Sequence, residues 1–341
     1  MVGVGGFFVF MSIADILIAL LVIAVWGLNF VALRVGLNGV PPMLLVAARF
    51  MLCAFPAVFL IRRPAVPWRH LIAYGLAMGV LQFSLLYGAL SIGMPAGLSS
   101  IVMQSQAFFT LGFGALFLKE QIKSRQVVGM AIAGLGLLLI ALSFDQQVGP
   151  LPLLMVIGAA AGWGLANVMA RQAGRVNMLA FVVWTSLVPP IPMLILSLLI
   201  EGPARIEFTL THLSGLSIVA ALFTAYLSTV LGYALWNRLI SRNGAGQVAP
   251  FSLLVPFFGL SSTALLLGET MSPATLVAGG LVLIGLAITV FGLPRFVARP
   301  RGATNLIEIR ERYAPAKPGH IAPENSDLSG VVSNHVKGGS T

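Results

Sequence analysis

The sequence predicts an all-α membrane protein of ten transmembrane helices, built from two inverted five-helix repeats, with both termini in the cytoplasm. Three observations support this: the composition, a series of ten apolar runs, and an internal repeat with an odd number of helices. Hydrophobic residues make up 58% of the 341 residues and charged residues 9%, whereas soluble domains contain roughly 25% charged residues. A chain with a mean hydropathy of +0.98 fits a bilayer, because lipid solvates the outer faces of apolar helices.

Each apolar run is close to the length of about 20 residues that a spanning helix needs. The runs cover residues 13–33, 43–61, 71–92, 96–118, 127–143, 151–170, 178–200, 214–236, 246–268 and 274–293. Residues 1–12 lack the basic stretch of a signal peptide, so we predict an N-terminal extension before a retained first helix. Residues 294–341 are rich in Pro, Gly, Ser, Asn and charge, which predicts a mostly disordered cytoplasmic tail.

Basic residues are distributed unequally between the two sides of the predicted bundle. The even-numbered connections and the start of the tail contain Arg62, Arg63, Arg69, Lys119, Lys123, Arg125, Arg171, Arg175, Arg238, Arg242, Arg295, Arg299 and Arg301. The odd-numbered connections contain Arg34, Arg205, Asp145, Glu201, Glu207 and Glu269. Because Lys and Arg accumulate in cytoplasmic loops, this contrast predicts cytoplasmic termini. It also explains the net charge of +10 without a basic soluble module, so we predict the bilayer and no nucleic acid as a partner.

Two blocks of sequence occur twice. Residues 26–29 (WGLN) resemble residues 163–167 (WGLAN). An Ala-Gly, a Phe-Phe and a Glu within residues 96–120 recur at similar spacing within residues 245–269. The nearly equal offsets predict that helices one to five are repeated as helices six to ten.

The predicted repeats are residues 13–143 and residues 151–293. Since five is an odd number, the second copy must enter the membrane from the opposite side. This places Glu120 on the cytoplasmic side and its repeat mate Glu269 on the outer side. Inverted repeats of this kind form transporters with a substrate site near the midplane, which argues against a receptor or a structural membrane protein.

Polar side chains inside hydrocarbon are costly unless they have partners or line a wet cavity, so they are candidates for binding a small-molecule substrate. The candidates are Asn29, Gln82, Gln104, Gln106, Asn167 and, as the one base well inside a run, Arg49. Amides can bind both ends of an amino acid, but they also link helices to each other. Gln104 and Gln106 cannot share a helix face. Arg49 either snorkels outward or attracts a substrate carboxylate.

Aromatic side chains form a second set of candidates. They are Trp163, Trp184, Tyr226 and Tyr233. Their rings can hold an ammonium group by cation–π contact. Tyr226 and Tyr233 are seven residues apart, which predicts a shared face of the eighth helix. The alternatives are anchoring at the membrane interface and, for Trp163 beside a glycine, close helix packing.

Several classes of chemistry have no support in the sequence. It contains no glycine-rich nucleotide loop, no metal-spaced His or Cys cluster and no nucleophile–base pair. We therefore predict no cofactor, no metal and no enzymatic activity. No carboxylate or histidine lies at a helix centre, so no proton carrier is visible. The sequence leaves the energy source and the oligomeric state open.

Six short motifs carry a family resemblance. They are residues 25–30 (VWGLNF), 41–42 (PP), 49–50 (RF), 93–98 (GMPAGL), 104–109 (QSQAFF) and 249–256 (APFSLLVP). Through them, roughly residues 12–294 resemble the EamA branch of the drug/metabolite transporter superfamily. The resemblance implies an exporter of amino acids and related metabolites, such as cysteine and O-acetylserine. It also implies a bacterial inner-membrane location. Our working hypothesis for the mechanism, based on the inverted repeats, is alternating access through a central cavity.

Alternatives within the transporters stay open. They are drug efflux and the exchange of nucleotide sugars or sugar phosphates, although a phosphate-bearing substrate would need several Lys or Arg residues in the cavity. One departure from the family concerns the end of the fourth helix. The family usually has Gly-Glu there, whereas this chain has Lys119-Glu120 and keeps Gly268-Glu269 in the second copy. We predict that both glutamates cap or brace helix ends.

Overall fold

The computed structural model describes residues 11–142, 149–174, 176–243 and 245–291, which contain helices and no strand. The predicted tail and the first ten residues lie outside them. Within these residues, eight helices are long and apolar enough to cross a membrane: α1 (Ile13–Leu37), α2 (Pro42–Leu60), α3 (Trp68–Ser91), α4 (Ala96–Leu118), α5 (Ser124–Leu142), α6 (Pro150–Gln172), α7 (Met178–Glu201) and α8 (Gly215–Asn243). Two shorter apolar helices follow, α9 (Phe251–Leu267) and α10 (Pro273–Thr289).

Local sequence explains where several helices begin. The hydroxyl of Ser12 accepts a hydrogen bond from the amide of Asp15 at 3.1 Å and so caps α1. The carboxylate of Asp15 lies in the first turn, where its negative charge interacts favourably with the positive end of the helix dipole. Proline starts α2, α6 and α10, where its missing amide hydrogen costs no helical hydrogen bond.

The glutamates that follow α4 and α9 brace helix ends, as the sequence predicts. Glu269 accepts hydrogen bonds from the amides of Ala96 and Gly97, each at 2.8 Å, and so caps the start of α4. Glu120 forms an ion pair with Arg171 of α6 at 2.7 Å. Both contacts join one predicted repeat to the other.

Two pairs of irregular helical turns recur in equivalent places of the two predicted repeats, whereas the π turn at Ser197–Glu201 of α7 has no counterpart in α2. π-helical turns occur at Gly75–Gln82 in α3 and at Phe223–Leu231 in α8. Turns of 3-10 helix occur at Met103–Ser105 in α4 and at Ala249–Leu254, where α9 begins. Both pairs have nearly the offset that relates the two Ala-Gly motifs. Single π turns are often found at functional sites.

Helix packing follows the same internal symmetry. Helix α1 packs against α8 and α9, while its mate α6 packs against α3 and α4. Helix α2 packs against its own mate α7, and α5 against its own mate α10. These contacts of one copy are therefore matched by contacts of the other. Two interlocked copies around a pseudo-two-fold axis produce this pattern.

One close backbone approach occurs twice. A methyl group at Gly27 of α1 would lie 2.7 Å from the backbone nitrogen of Gly259 in α9. A methyl group at Gly164 of α6 would lie 2.8 Å from the backbone nitrogen of Thr110 in α4. Small residues let helices approach closely in a membrane. The glycine of the repeated Trp-Gly motif therefore serves the same contact in each copy.

Mated helices run antiparallel where they touch. Gly129 near the start of α5 faces Thr289 at the end of α10, and a methyl group at Gly129 would lie 2.7 Å from the Thr289 backbone nitrogen. Further along α5, Gly136 faces Ala278 near the start of α10. Two copies that enter a bilayer from opposite sides require such antiparallel mates.

Candidate functional site

A small cavity of about 30 Å³ lies between α2, α3, α7 and α8. These helices are two pairs of repeat mates, so the cavity lies between the two predicted copies. Its lining consists of Arg49, Phe50, Tyr74, Met78, Phe83, Val182, Thr185, Ser186, Thr229 and Tyr233. This volume is large enough for an ordered water but too small for an amino acid.

Arg49 of α2 directs its guanidinium group into the centre of the bundle. One terminal nitrogen donates to the hydroxyl of Tyr87 at 3.1 Å and the other donates to Oγ1 of Thr229 at 2.8 Å. The guanidinium also lies over the ring of Phe83, 4.4 Å from its centroid. The residue is only 4% exposed. Arg49 therefore does not snorkel outward, since burial and three inward contacts hold it at the interface of the two copies.

The charge of Arg49 has no anionic partner among the described residues. The ion pairs of this part of the chain join Arg171 to Glu120 and Arg242 to Asp15. Nε of Arg49 is buried and has no hydrogen-bond partner there. Burying a cation without a counter-ion is costly. A carboxylate would neutralise it and could bind two guanidinium nitrogens at once.

Tyr233 is the aromatic candidate that the structure brings to this cavity. It lines the cavity together with Arg49 and packs against Trp26, with ring centroids 5.7 Å apart. Tyr74 of α3 also lines the cavity. Tyrosine rings beside a buried arginine are a setting in which an ammonium group could bind by cation–π contact.

Tyr226 lies apart from Tyr233. Its hydroxyl donates to the carbonyl oxygen of Phe55 at 3.2 Å, where α2 is interrupted between Ala54 and Ala57. The shared face predicted from their spacing assumed a regular α-helix. The π turn between them changes the number of residues per turn, and only Tyr233 reaches the cavity.

Asn167 and Gln106 bind each other. Nδ2 of Asn167 donates to Oε1 of Gln106 at 2.9 Å and to Oγ1 of Thr110 at 3.0 Å. These contacts join α6 to α4. The geometry favours the alternative that the sequence left open for the amides, a link between helices.

Asn29 has no equivalent contact among the described residues. The repeat mates of Gln106 and Thr110 are Val255 and Gly259, which offer no polar side chain. Oδ1 of Asn29 is buried and has no hydrogen-bond partner in this part of the chain. The two copies have therefore diverged, and one asparagine is left with an unused acceptor.

The remaining candidates lie outside the cavity lining. Oε1 of Gln82 is buried without a partner in the described part of the chain, and Gln104 makes a long contact of 3.5 Å to the Ser252 carbonyl. Trp184 donates to the carbonyl oxygen of Ile61 at 2.9 Å, at the end of α2. Trp163 packs, partly buried, against the main hydrophobic core. Substrate contacts for these four residues stay predictions.

Sequence reasoning missed most of the hydroxyl groups at the site. Thr185, Ser186 and Thr229 line the cavity, yet helical Ser and Thr usually bond to their own backbone. Thr229 does this as well, donating to the Thr224 carbonyl at 2.8 Å. Only its second role, as an acceptor for Arg49, marks it as part of the site, and sequence carries no signal of that role.

Comparisons with known proteins agree on one family. The EamA-like transporter family matches residues 13–142 and again residues 150–291. A relative from Salmonella typhimurium, named "Probable amino-acid metabolite efflux pump", is 42% identical over 83% of this chain and 96% of its own length. A relative from Escherichia coli with the same name is 41% identical over 83% of this chain and 97% of its length.

More distant similarity extends the same picture. A protein of Streptantibioticus cattleyicolor named "Probable terminal-alkyne amino-acid exporter" is 24% identical over 79% of this chain and 90% of its length. One solved crystal structure superposes with a TM-score of 0.57 at 19% identity, covering 83% of this chain and 99% of the other. That likeness concerns the fold alone.

Proposed function

The chain belongs to the EamA-like transporter family, and on that premise we propose that it exports amino acids and related small metabolites. It is a multi-pass protein of the bacterial inner membrane, and the described part of the chain has eight helices that suit a bilayer by length and composition. Two relatives at 41–42% identity carry the name of an amino-acid metabolite efflux pump. Cysteine-like and O-acetylserine-like substrates are our first choice within this class.

One observation links the proposed function to a particular place in the molecule. Arg49 is a buried cation between the two copies, and it has no carboxylate partner among the described residues. Every amino acid brings the carboxylate that this cation lacks. The tyrosine rings beside it suit the ammonium group of the same substrate. We infer that the substrate binds in the cavity that Arg49 and Tyr233 line.

The topology in our proposal has ten spans, inverted repeats and cytoplasmic termini. Helix α9 supports a ninth span, because the helical segments Ala245–Val248 and Ala249–Leu254 extend it toward its N-terminal side. The antiparallel packing of mated helices supports the inversion, and the distribution of basic residues supports the orientation. In alternating access, the two copies would expose the central cavity to one side and then to the other.

The proposed function is tested by counterflow in liposomes that contain the purified protein. Liposomes loaded with unlabelled cysteine, O-acetylserine or phenylalanine are diluted into a trace of the same radiolabelled compound. We expect transient, saturable accumulation of label for at least one of them, and none in liposomes without protein. If none of the three compounds accumulates above that background, the assignment as an amino-acid exporter is wrong.

A further inference from the structure

Arg49 joins three helices that belong to both predicted copies. It extends from α2, and its two hydrogen bonds reach Tyr87 of α3 in the same copy and Thr229 of α8 in the other. Of these two side-chain hydrogen bonds, only the one to Thr229 crosses between copies. In this conformation, Arg49 therefore links the first copy to the second.

The two hydroxyl partners orient Arg49 but leave its charge uncompensated. A guanidinium group has five hydrogen-bond donors, and its Nε has no partner among the described residues. A carboxylate is a stronger partner than a neutral hydroxyl, because charge-assisted hydrogen bonds are roughly twice as strong and can be bidentate. An incoming carboxylate would therefore compete effectively with Thr229 for the same guanidinium.

Thr229 can release Arg49 without losing all of its own hydrogen bonds. Its Oγ1 donates a hydrogen bond to the carbonyl oxygen of Thr224 at 2.8 Å while it accepts one from Arg49. When Arg49 leaves, the hydroxyl keeps its donor bond within the π turn. The exchange thus leaves no hydroxyl proton without an acceptor, which lowers its cost.

We propose that the substrate carboxylate displaces Thr229 from Arg49 and thereby releases a latch between the two copies. This inference rests on the proposed function, and it adds both a substrate requirement and a coupling step. Substrates need a free carboxylate. An additional positive charge in the substrate is disfavoured, since the cavity lining contains one cation and no carboxylate.

The single cysteine of the chain provides a native reporter for the latch. Cys53 is fully buried between α2 and α8, and its thiol donates to the Ala225 carbonyl at 3.4 Å. It therefore lies at the helix pair that Arg49 and Thr229 connect. If α8 separates from α2, the thiol becomes accessible to a small membrane-permeant reagent such as N-ethylmaleimide.

The experiment measures the alkylation rate of Cys53 in the full-length protein in liposomes. The probes are alanine, propionate and alaninamide, because they share one small side chain and differ in the carboxylate and the amine. We expect alanine and propionate to accelerate alkylation and alaninamide to leave the rate unchanged. The proposal is overturned if alaninamide accelerates alkylation as much as alanine, or if none of the probes has an effect.

A variant tests the latch without any ligand. Thr229→Val keeps the shape of the side chain and removes the hydroxyl, so we expect basal alkylation to be about tenfold faster, the factor for losing one hydrogen bond to a charged group. The matched control is Thr263→Val, because Thr263 is also buried and its hydroxyl donates within its own helix. Equal rates in both variants would overturn the latch.

The two assays separate failure of the latch from failure of the proposed function. Counterflow of an amino acid without any probe effect on Cys53 would overturn the latch and leave the exporter intact. A carboxylate-dependent alkylation rate without counterflow would leave the exchange at Arg49 standing and contradict export. Because the probe measurement uses the unaltered chain, it gives an answer even if Thr229→Val does not fold.

Discussion

The two asparagines of the repeated Trp-Gly motif differ in their surroundings, and this difference should be measurable. Asn167 binds Gln106 and Thr110, so Asn167→Ala leaves an interhelical acceptor without its donor. We expect a loss of about 1 kcal/mol in unfolding free energy, the typical net contribution of one hydrogen bond, because these side chains are partly buried. Asn29→Ala is the matched control and should cost less, because Oδ1 of Asn29 has no partner to lose among the described residues. Thermal unfolding in detergent compares them, and an equal loss in both variants would contradict the assignment.

Lys119 occupies a backbone conformation that suits glycine. Its φ is 56°, close to the 68° of its mate Gly268. A left-handed conformation costs a residue with a Cβ about 1–2 kcal/mol. We therefore expect Lys119→Gly to raise the melting temperature and Gly268→Lys to lower it. A melting temperature that falls in Lys119→Gly would show that the lysine side chain makes a stabilising contact that outweighs the strain.

Sequence alone could predict those candidate site residues whose polar side chains are costly to bury in a membrane. Arg49 and the amides stand out because a polar group in hydrocarbon needs an explanation. What they bind could not be predicted, since it depends on which helices become neighbours. Asn167 finds Gln106 because α6 packs on α4, and the surroundings of Asn29 differ only through substitutions on another helix.

At the scale of helices, the close contacts at the Trp-Gly motifs predict that a larger residue in place of the glycine destabilises the protein. Gly164→Ala would force α6 away from α4, because the new methyl would lie 2.8 Å from the Thr110 backbone nitrogen. Overpacking of this kind costs about 1–3 kcal/mol. Gly112→Ala in α4 is the matched control, since a methyl there meets nothing within 4 Å, and it should not destabilise. Thermal unfolding of both variants checks this, and equal stability would contradict the contact.

Hydropathy predicts where the helices lie but not their internal irregularities. The apolar runs agree with α1 to α8 to within a few residues at most ends. The π turns of α3 and α8 have no signal in the sequence, because any apolar stretch can form them. The π turn of α8 is the reason that Tyr226 and Tyr233, seven residues apart, have different surroundings.

On the scale of the whole molecule, the chain is a transporter of the EamA-like family, and the two predicted repeats within it interlock. The packing of α2 on α7 and of α5 on α10 places repeat mates side by side. The cavity with Arg49 lies where two such pairs meet. The internal repeat is visible in the sequence partly because the same close glycine contact is needed twice.

The proposed inversion predicts opposite accessibility for two equivalent positions. Lys123 and Ser272 lie just before α5 and α10, and both are exposed. Each is replaced by cysteine in a Cys53→Ala background, and intact cells are treated with a membrane-impermeant maleimide. We expect labelling of Ser272→Cys and none of Lys123→Cys until the cells are opened. Labelling of both from outside would contradict the inverted topology.

The central claim is that amino acids cross the membrane through the cavity at Arg49. The most direct measurement is counterflow of the transported amino acid by Arg49→Gln, beside Arg238→Gln as a control at an exposed position of α8. We expect Arg49→Gln to lose at least about tenfold in flux, because one charge-assisted contact to the carboxylate is gone, while Arg238→Gln keeps the normal rate. Normal flux in a folded Arg49→Gln protein would contradict the account.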